Sequence, residues 1–270
     1  MHKLSEIFKS ISEAEKAEFL PTGFKKLDKS LDGGFMLQEL IVLGGHTGFG
    51  KSYLAGQIFY NIAKQGFKSA YFSLEISEKM LASRLSGAIS NIKPTRISYG
   101  LLYSEEKKAK LEAQAEISAY DEFMLVSDDK YSLEEILKEI KENIPEFVII
   151  DFIQNVMVQN VPDEYARLTK VALELQKAAK EYNCCILVLS QVSNIVAREG
   201  SKGKTTEFKG SGNIATVSDL GFVLERSDYV EGTEYQLVTL TLKKNRRGIS
   251  GLEYSLKFRH PGGEIYEAED

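Results

Sequence analysis

The chain is poor in the residues that build disulfide frameworks, metal cages or membrane spans. Among its 270 residues are two cysteines, three histidines, five prolines and no tryptophan. Cys184 and Cys185 are adjacent, so they cannot form a disulfide framework or a zinc cage, and we expect both to be reduced core residues. No apolar run approaches the roughly 18 residues that a membrane helix needs. We therefore expect no membrane partner.

Neither the N-terminus nor the overall charge points to an exported or a strongly basic protein. The first 20 residues lack the apolar core of a signal peptide, so we expect a cytoplasmic protein, in the host cytoplasm if a phage or plasmid encodes it. The net charge is −5, from 34 basic and 39 acidic residues. This balance excludes a globally basic nucleic-acid-binding protein, but it does not exclude a local basic patch.

An amphipathic helix is predicted at the N-terminus. Leu4, Ile7, Phe8 and Ile11 follow at spacings of three and four, and Pro21 ends the pattern. We expect residues 1–20 to form a helical arm and residues 21–270 to form one domain. The apolar stripe of the arm has to be buried either on its own domain or on a neighbouring subunit, and the pattern leaves both possibilities open.

Short apolar runs alternate with helical patterns through the middle of the chain. This alternation is typical of a parallel α/β sheet covered by helices on both faces. Later runs follow one another without helices, which predicts antiparallel hairpins that extend the sheet. The predicted strands cover residues 40–44, 69–74, 123–126, 147–151 and 184–190 in the first part, and residues 220–225, 235–242 and 252–258 in the second.

The strongest local pattern is a phosphate-binding loop between a predicted strand and a predicted helix. Glycines let backbone N–H groups curl around phosphate oxygens, and the helix N-terminus adds partial positive charge. Lys51 is expected to reach the β- and γ-phosphates of ATP, and the Ser52 hydroxyl to ligate Mg²⁺. The residues that fit G-x-x-x-x-G-K-[ST] are Gly45, His46, Thr47, Gly48, Phe49, Gly50, Lys51 and Ser52.

Three polar residues stand where predicted strands end. Asp151 ends an apolar strand and is the candidate second ligand of Mg²⁺. Glu75 follows the strand over residues 69–74 and is the candidate that orients or deprotonates water. Gln191 is placed to hydrogen-bond the γ-phosphate or the attacking water. The simpler interpretation of each is a polar strand end, or a helix-capping acid in the case of Glu75.

These elements, in this order, resemble the RecA-like core of the DnaB-type replicative helicases. The resemblance implies a RecA-like P-loop NTPase fold, mainly parallel with antiparallel C-terminal strands. It also implies an ATP-hydrolysing homohexamer that moves 5′ to 3′ along single-stranded DNA in replication. The segments that carry it span residues 20–259, and they are residues 20–28 with 33–34, 72–75, 149–154, 189–191, 209–214 and 244–248.

The resemblance also assigns roles outside the phosphate loop. Lys244 and Arg246 fit the family's K-x-R-x-G segment and would act on a neighbouring subunit's nucleotide, with Arg246 as an arginine finger. A loader or a primase is a possible partner, although only about 20 residues precede the core, so we expect the family's primase-contacting domain to be absent. DNA contact is assigned to loop residues Arg198, Lys202, Lys204, Lys209, Gly210 and Gly212.

Two other functions remain open at this point. One is a RecA- or RadA-like recombination ATPase that forms a filament on DNA. The other is a KaiC-like regulatory ATPase that binds protein partners and no DNA. The K-x-R-x-G segment speaks against the first, and the positive loop over residues 198–209 speaks against the second.

Overall fold

The computed structural model describes residue 4, residues 19–191 and residues 212–268. These residues form a nine-stranded sheet flanked by helices and a small two-stranded sheet. The strands are β1 (Phe19–Leu20), β2 (Phe35–Met36), β3 (Leu40–Gly45), β4 (Ser69–Ser73), β5 (Met124–Ser127), β6 (Phe147–Asp151), β7 (Cys185–Gln191), β8 (Leu220–Arg226), β9 (Tyr235–Asn245), β10 (Leu252–Arg259) and β11 (Ile265–Glu267). The helices are α1 (Lys25–Ser30), α2 (Lys51–Ala63), α3 (Glu78–Ser90), α4 (Pro94–Tyr99), α5 (Ser104–Ser118), α6 (Leu133–Asn143), α7 (Glu164–Glu181) and α8 (Gly212–Val217).

The large sheet has the order β11-β10-β9-β8-β3-β7-β6-β4-β5. The six strands from β8 to β5 pair in parallel. Strands β8, β9, β10 and β11 then pair antiparallel. The predicted α/β class, mainly parallel with antiparallel C-terminal strands, is therefore confirmed, and each of the eight predicted strands is present.

An apolar layer packs between the sheet and its helices on each face. Both layers draw on the same central strands, because successive residues of a strand face opposite sides. On β3, Ile41 and Leu43 pack in the cluster that contains helix α2. Leu40 and Val42 pack in the cluster that contains helices α6 and α7. This double burial explains why the central strands read as continuous apolar runs in the sequence.

The two cysteines lie in this core, as predicted. Both thiols are free and buried. Burial raises the pKa of the Cys184 thiol to about 12 and that of Cys185 well above its ordinary value. Neither group is a nucleophile at neutral pH. Within the described ranges, the helices are all too short or too polar to cross a bilayer.

The predicted N-terminal arm falls outside the described residues, except for Leu4, Phe19 and Leu20. Phe19 and Leu20 form β1, which pairs antiparallel with β2. Leu20 is fully buried in the core, although the predicted boundary assigned it to the arm. The remaining part of the division into residues 1–20 and 21–270 stays a prediction.

The segment leading into β3 is held by a close backbone approach at Gly34. Its φ is +130°, and a Cβ added there would lie 2.4 Å from the carbonyl oxygen of Leu20. A non-glycine residue would therefore strain the backbone and push β1 away from β2. Gly100 offers a matched position, since its φ is +72° but a Cβ there would meet no atom within 4 Å.

We expect Gly34→Ala to lower the free energy of unfolding by at least about 2 kcal/mol, because strain and a backbone clash add together. Gly100→Ala, which brings the left-handed backbone without the clash, should cost about 1 kcal/mol. Urea unfolding of both variants measures the difference. Equal losses would show that the approach to Leu20 contributes nothing.

Candidate nucleotide-binding site

The phosphate-binding loop joins β3 to α2 through two glycines with positive φ. Gly48 has φ 84°, and Gly50 has φ 97° at the N-cap of α2. A side chain at either position would strain the backbone, so the glycines let the loop fold back over the helix N-terminus. The loop lines a cleft of about 280 Å³ through Thr47, Gly48, Gly50, Lys51 and Ser52.

Three other members of the predicted loop do not line this cleft. Gly45 ends β3, where an added Cβ would lie 2.8 Å from the carbonyl oxygen of Leu224. The His46 ring packs edge-on against Phe49, with 5.2 Å between the ring centroids. The structure therefore places His46 and Phe49 against each other rather than in the cleft.

The parallel register brings the predicted strand-end residues to the same edge as the loop. Asp151 pairs with Ser73 across β6 and β4, and Gln191 pairs with Gly45 across β7 and β3. Glu75 follows β4 by two residues and lines the cleft together with Gln191. Glu75 does not cap α3, because the Ser77 side chain accepts the Met80 N–H at the helix start.

Asp151 is a buried carboxylate surrounded by donors. It is 1% exposed, and the Tyr71 hydroxyl donates to its Oδ2 at 2.8 Å. Burial raises its pKa, while hydrogen bonds from Tyr71 and Ser52 and the charges of Arg84 and Lys51 act in the opposite direction. Desolvation thus favours the protonated acid, and the surrounding donors favour the carboxylate.

The residues present fit a magnesium ion. Hydrogen bonding from the Ser52 side chain lowers the pKa of the Asp151 carboxylate, so these two oxygen groups are neighbours, and hard oxygen atoms are the ligands that Mg²⁺ prefers. Few protein ligands suffice, because Mg²⁺ keeps waters and takes substrate phosphates. Among the described residues, no group of three or more His, Cys, Asp and Glu side chains forms an all-protein metal cage.

Lys51 lies at the mouth of the loop. Its Nζ donates to the carbonyl oxygens of Gly45 at 2.8 Å and of His46 at 3.0 Å. Burial lowers the pKa of Lys51, while the charges of Asp151 and Glu75 raise it. The ammonium group is therefore a half-buried cation that two loop carbonyl oxygens hold, and the charges of Asp151 and Glu75 favour its protonated form.

Gln191 is held by two polar neighbours. Its side-chain amide donates to the Thr47 hydroxyl, which joins the end of β7 to the phosphate loop. Gln154 supports the strand end, since its Nε2 donates to Ser190 Oγ at 3.0 Å and to the Gln191 carbonyl oxygen at 3.3 Å. The Gln191 amide is thus fixed beside the loop.

The sequence reasoning missed Arg84, which also lines the cleft. It lies on α3, and its guanidinium stacks 4.6 Å from the ring centroid of Tyr53. Its charge acts on Asp151 and on Tyr71. The available signal was a single arginine between Leu81 and Leu85 on a helix that follows Glu75, which is far weaker than a loop motif.

Lys244 and Arg246 lie at the opposite edge of the sheet from their own phosphate loop. Arg246 Nη1 donates to Asp219 Oδ1 at 2.9 Å, and Asp219 Oδ2 accepts the N–H of Leu40, the first residue of β3. Lys244 Nζ donates to the carbonyl oxygen of Thr216 at 2.8 Å. From Leu40 to Gly45, β3 spans five steps of about 3.3 Å each, roughly 17 Å in total.

Among the predicted DNA-contacting residues, Gly212 alone lies in the part of the chain that the structure describes. Gly212 begins α8. Arg198, Lys202, Lys204, Lys209 and Gly210 lie outside the described residues.

Solved structures with the same fold confirm the RecA-like architecture. One of them, the ATPase domain of another protein, superposes with a TM-score of 0.83 at 23% identity, covering 98% of this chain and 97% of that one. A KaiC-like protein from Pyrococcus horikoshii superposes with a TM-score of 0.63 at 18% identity, covering 94% of this chain and all of that one (100%). At these identities both comparisons establish the fold alone.

The relatives among curated proteins are replicative helicases. The replicative DNA helicase DnaB of Treponema pallidum is 30% identical over 247 residues, covering 88% of this chain and 55% of the relative. The chain thus spans about half the length of the curated relatives it matches. A family model described as the DnaB-like helicase C terminal domain matches residues 20–263. This match covers nearly the whole chain, which therefore belongs to the family of DnaB-like helicase C-terminal domains.

Proposed function

We propose that this chain is an ATP-driven motor that moves 5′ to 3′ along single-stranded DNA as a homohexamer and unwinds duplex DNA in replication. One observation carries the proposal. The phosphate loop and Glu75 line the cleft, and Asp151 ends β6 at the same edge of the sheet, whereas Lys244 and Arg246 lie at the other edge. A chain with this layout supplies its cations to a neighbour and receives a neighbour's cations in return.

The polar residues at this edge of the sheet have distinct roles in hydrolysis. Lys51 and the loop N–H groups bind the β- and γ-phosphates. Glu75 orients or deprotonates the attacking water, and Gln191 hydrogen-bonds the γ-phosphate or that water. Ser52 and Asp151 would hold Mg²⁺, which neutralises phosphate charge when bound. Arg84 adds a second cation of the same chain, since it lines the cleft and its charge lowers the pKa of Asp151.

The neighbour completes the site. Charge that builds on the γ-phosphoryl group needs a planar, mobile cation, and Arg246 of an adjacent subunit provides it, with Lys244 beside it. The Arg246 side chain is 47% exposed, so it is accessible to a partner even while it pairs with Asp219.

We infer DNA binding, partner proteins and location from the family and from the sequence. The basic residues between Arg198 and Lys209, with Gly210 and Gly212, would track the phosphate backbone without sequence preference. The name of the Treponema relative supports a role in replication. Contacts with a loader or a primase and a cytoplasmic location stay predictions.

The first test is ATP hydrolysis with and without single-stranded DNA, with the particle mass recorded in the same samples. We expect DNA to stimulate hydrolysis and the mass to correspond to six subunits. Hydrolysis indifferent to DNA would contradict the motor and favour the KaiC-like regulatory ATPase. A DNA-dependent series of larger masses would favour the RecA-like filament.

Two inactive variants serve as controls in that test. Lys51→Ala should lose nucleotide binding, because the phosphates lose their principal cation. Glu75→Gln should still bind ATP and lose hydrolysis by a factor of about 10²–10⁴. Residual turnover in both would reveal a contaminating ATPase.

Tyr71→Phe should weaken the response to magnesium. The variant removes the hydroxyl that donates to Asp151, so the pKa of Asp151, already raised by burial, rises further. We expect the Mg²⁺ concentration for half-maximal hydrolysis to increase about tenfold. The increase should become larger as the pH is lowered, because a larger fraction of Asp151 is then protonated.

A matched control is Tyr60→Phe, which removes a tyrosine hydroxyl that donates to Glu116 at 2.8 Å, far from the metal ligands. Its magnesium requirement should equal that of the unmodified protein. Equal shifts in the two variants would assign the effect to general destabilisation instead of Asp151.

Arg246→Ala should reduce turnover by about a thousandfold while ATP still binds. Mixing it with Lys51→Ala subunits should restore part of the activity, because the intact Arg246 of one subunit then faces the intact loop of the other. Steady-state hydrolysis across mixing ratios measures this complementation. Normal turnover by Arg246→Ala alone would contradict the role of Arg246 as an arginine finger.

A further inference from the structure

Arg247, the residue after Arg246, is directed inward, toward the segment that leads into β3. Arg247 is 20% exposed, and its Nε lies 2.9 Å from Oε1 of Glu39. Its Nη1 donates to the carbonyl oxygen of Leu31 at 3.1 Å, and its Nη2 donates to that of Gly34 at 3.0 Å. Two hydrogen bonds from the Nη atoms and one ion pair through Nε, which makes no hydrogen bond, thus tie the guanidinium to the segment that leads into β3.

The turn around Arg247 is also fixed by its own side chains. Asn245 Oδ1 accepts the Arg247 N–H at 2.9 Å, and Asn245 Nδ2 donates to the carbonyl oxygen of Ile249 at 3.0 Å. Asn245 closes the turn and Arg247 anchors it. Arg246, between them, presents a side chain that is 47% exposed.

Glu39 connects this anchor to the phosphate loop. It immediately precedes β3, the strand that ends at Gly45, and its Oε2 accepts the Met36 N–H at 3.1 Å. Its side chain is 10% exposed. Burial raises the pKa of Glu39, and the charge of Arg247 lowers it. The two charges are therefore a partly buried pair, in which each partner compensates the desolvation of the other.

We propose that Arg247 is a positioning residue for Arg246, an inference that rests on the proposed action of Arg246 on a neighbouring subunit. The contacts of the Arg247 guanidinium hold the backbone of Arg246 close to the start of β3, the strand that leads into the phosphate loop. A mobile turn would present the finger at varying distances from the neighbour's γ-phosphate, and small misplacements in an active site reduce rates by large factors.

The test is Arg247→Ala measured alone and in mixtures with Lys51→Ala. We expect kcat to fall at least about tenfold, with the KM for ATP unchanged, because the subunit's own loop is intact. Mixing should restore activity, since Lys51→Ala subunits carry a properly placed Arg246. A defect confined to folding would stay with the variant subunit and would not be rescued by a partner that lacks Lys51.

Arg96→Ala is the matched control. Arg96, on α4, likewise contacts one carboxylate, that of Glu106 at 2.8 Å, and donates to one backbone carbonyl oxygen, that of Leu101 at 2.9 Å. Its kcat should equal that of the unmodified protein.

If Arg247→Ala does not assemble, Arg247→Lys replaces it under the same criteria, because lysine keeps the charge opposite Glu39 and loses the carbonyl bonds.

The outcomes separate this inference from the function on which it rests. Unchanged kcat in the Arg247 variant overturns the positioning role. So does a lowered kcat that mixing does not restore, provided that Arg246→Ala is restored in parallel. If neither variant is restored, the action of Arg246 across the interface has failed, and the positioning role fails with it.

Discussion

Strand β3 pairs in parallel with β7 on one side and with β8 on the other, and β7 continues through β6 to β4. This register places the carboxyl ends of β3, β4, β6 and β7 at one edge. The phosphate loop, Glu75, Asp151 and Gln191 meet there although they are distant in the sequence. Burial of the strands on both faces fixes the register, because a slip by one residue would exchange the two apolar layers. The cleft thus depends on the core for its geometry.

The electrostatics of the cleft depend on the same core. Asp151 is desolvated, which disfavours its charged form, and Tyr71 together with Ser52 offsets this effect. Tyr71 is fully buried and its own pKa is raised well above the ordinary value, so it remains a donor. Preorganised donors of this kind need no rearrangement when a cation or a phosphate arrives. A residue that packs in the core therefore also tunes the acid at the edge of the sheet.

The sequence predicted the parts of the structure that local patterns specify. Strands with continuous apolar runs and the loop ending in Lys51 and Ser52 are of this kind. Arg84 was missed because a single arginine on a helix has no spacing that marks its role. Tyr71 reads as a core aromatic, since only the pairing of β4 with β6 brings it to Asp151. The inward contacts of Arg247 could not be predicted, because the turn at Asn245 decides which of the adjacent arginines faces inward.

The antiparallel return of β9 has a consequence for the assembly. It carries Lys244 and Arg246 back to the amino end of β3, so a chain that follows the proposed function gives its cations to one neighbour and takes them from another. Such a head-to-tail interface is heterologous, and repeating it closes a ring when the rotation between subunits permits. Strand β3 connects the two places where a subunit would meet its neighbours. The phosphate loop lies at one end of the strand and the Glu39–Arg247 pair at the other. The packing that fixes β3 therefore also fixes the distance between the phosphate loop and the turn that carries Arg246 in the same subunit.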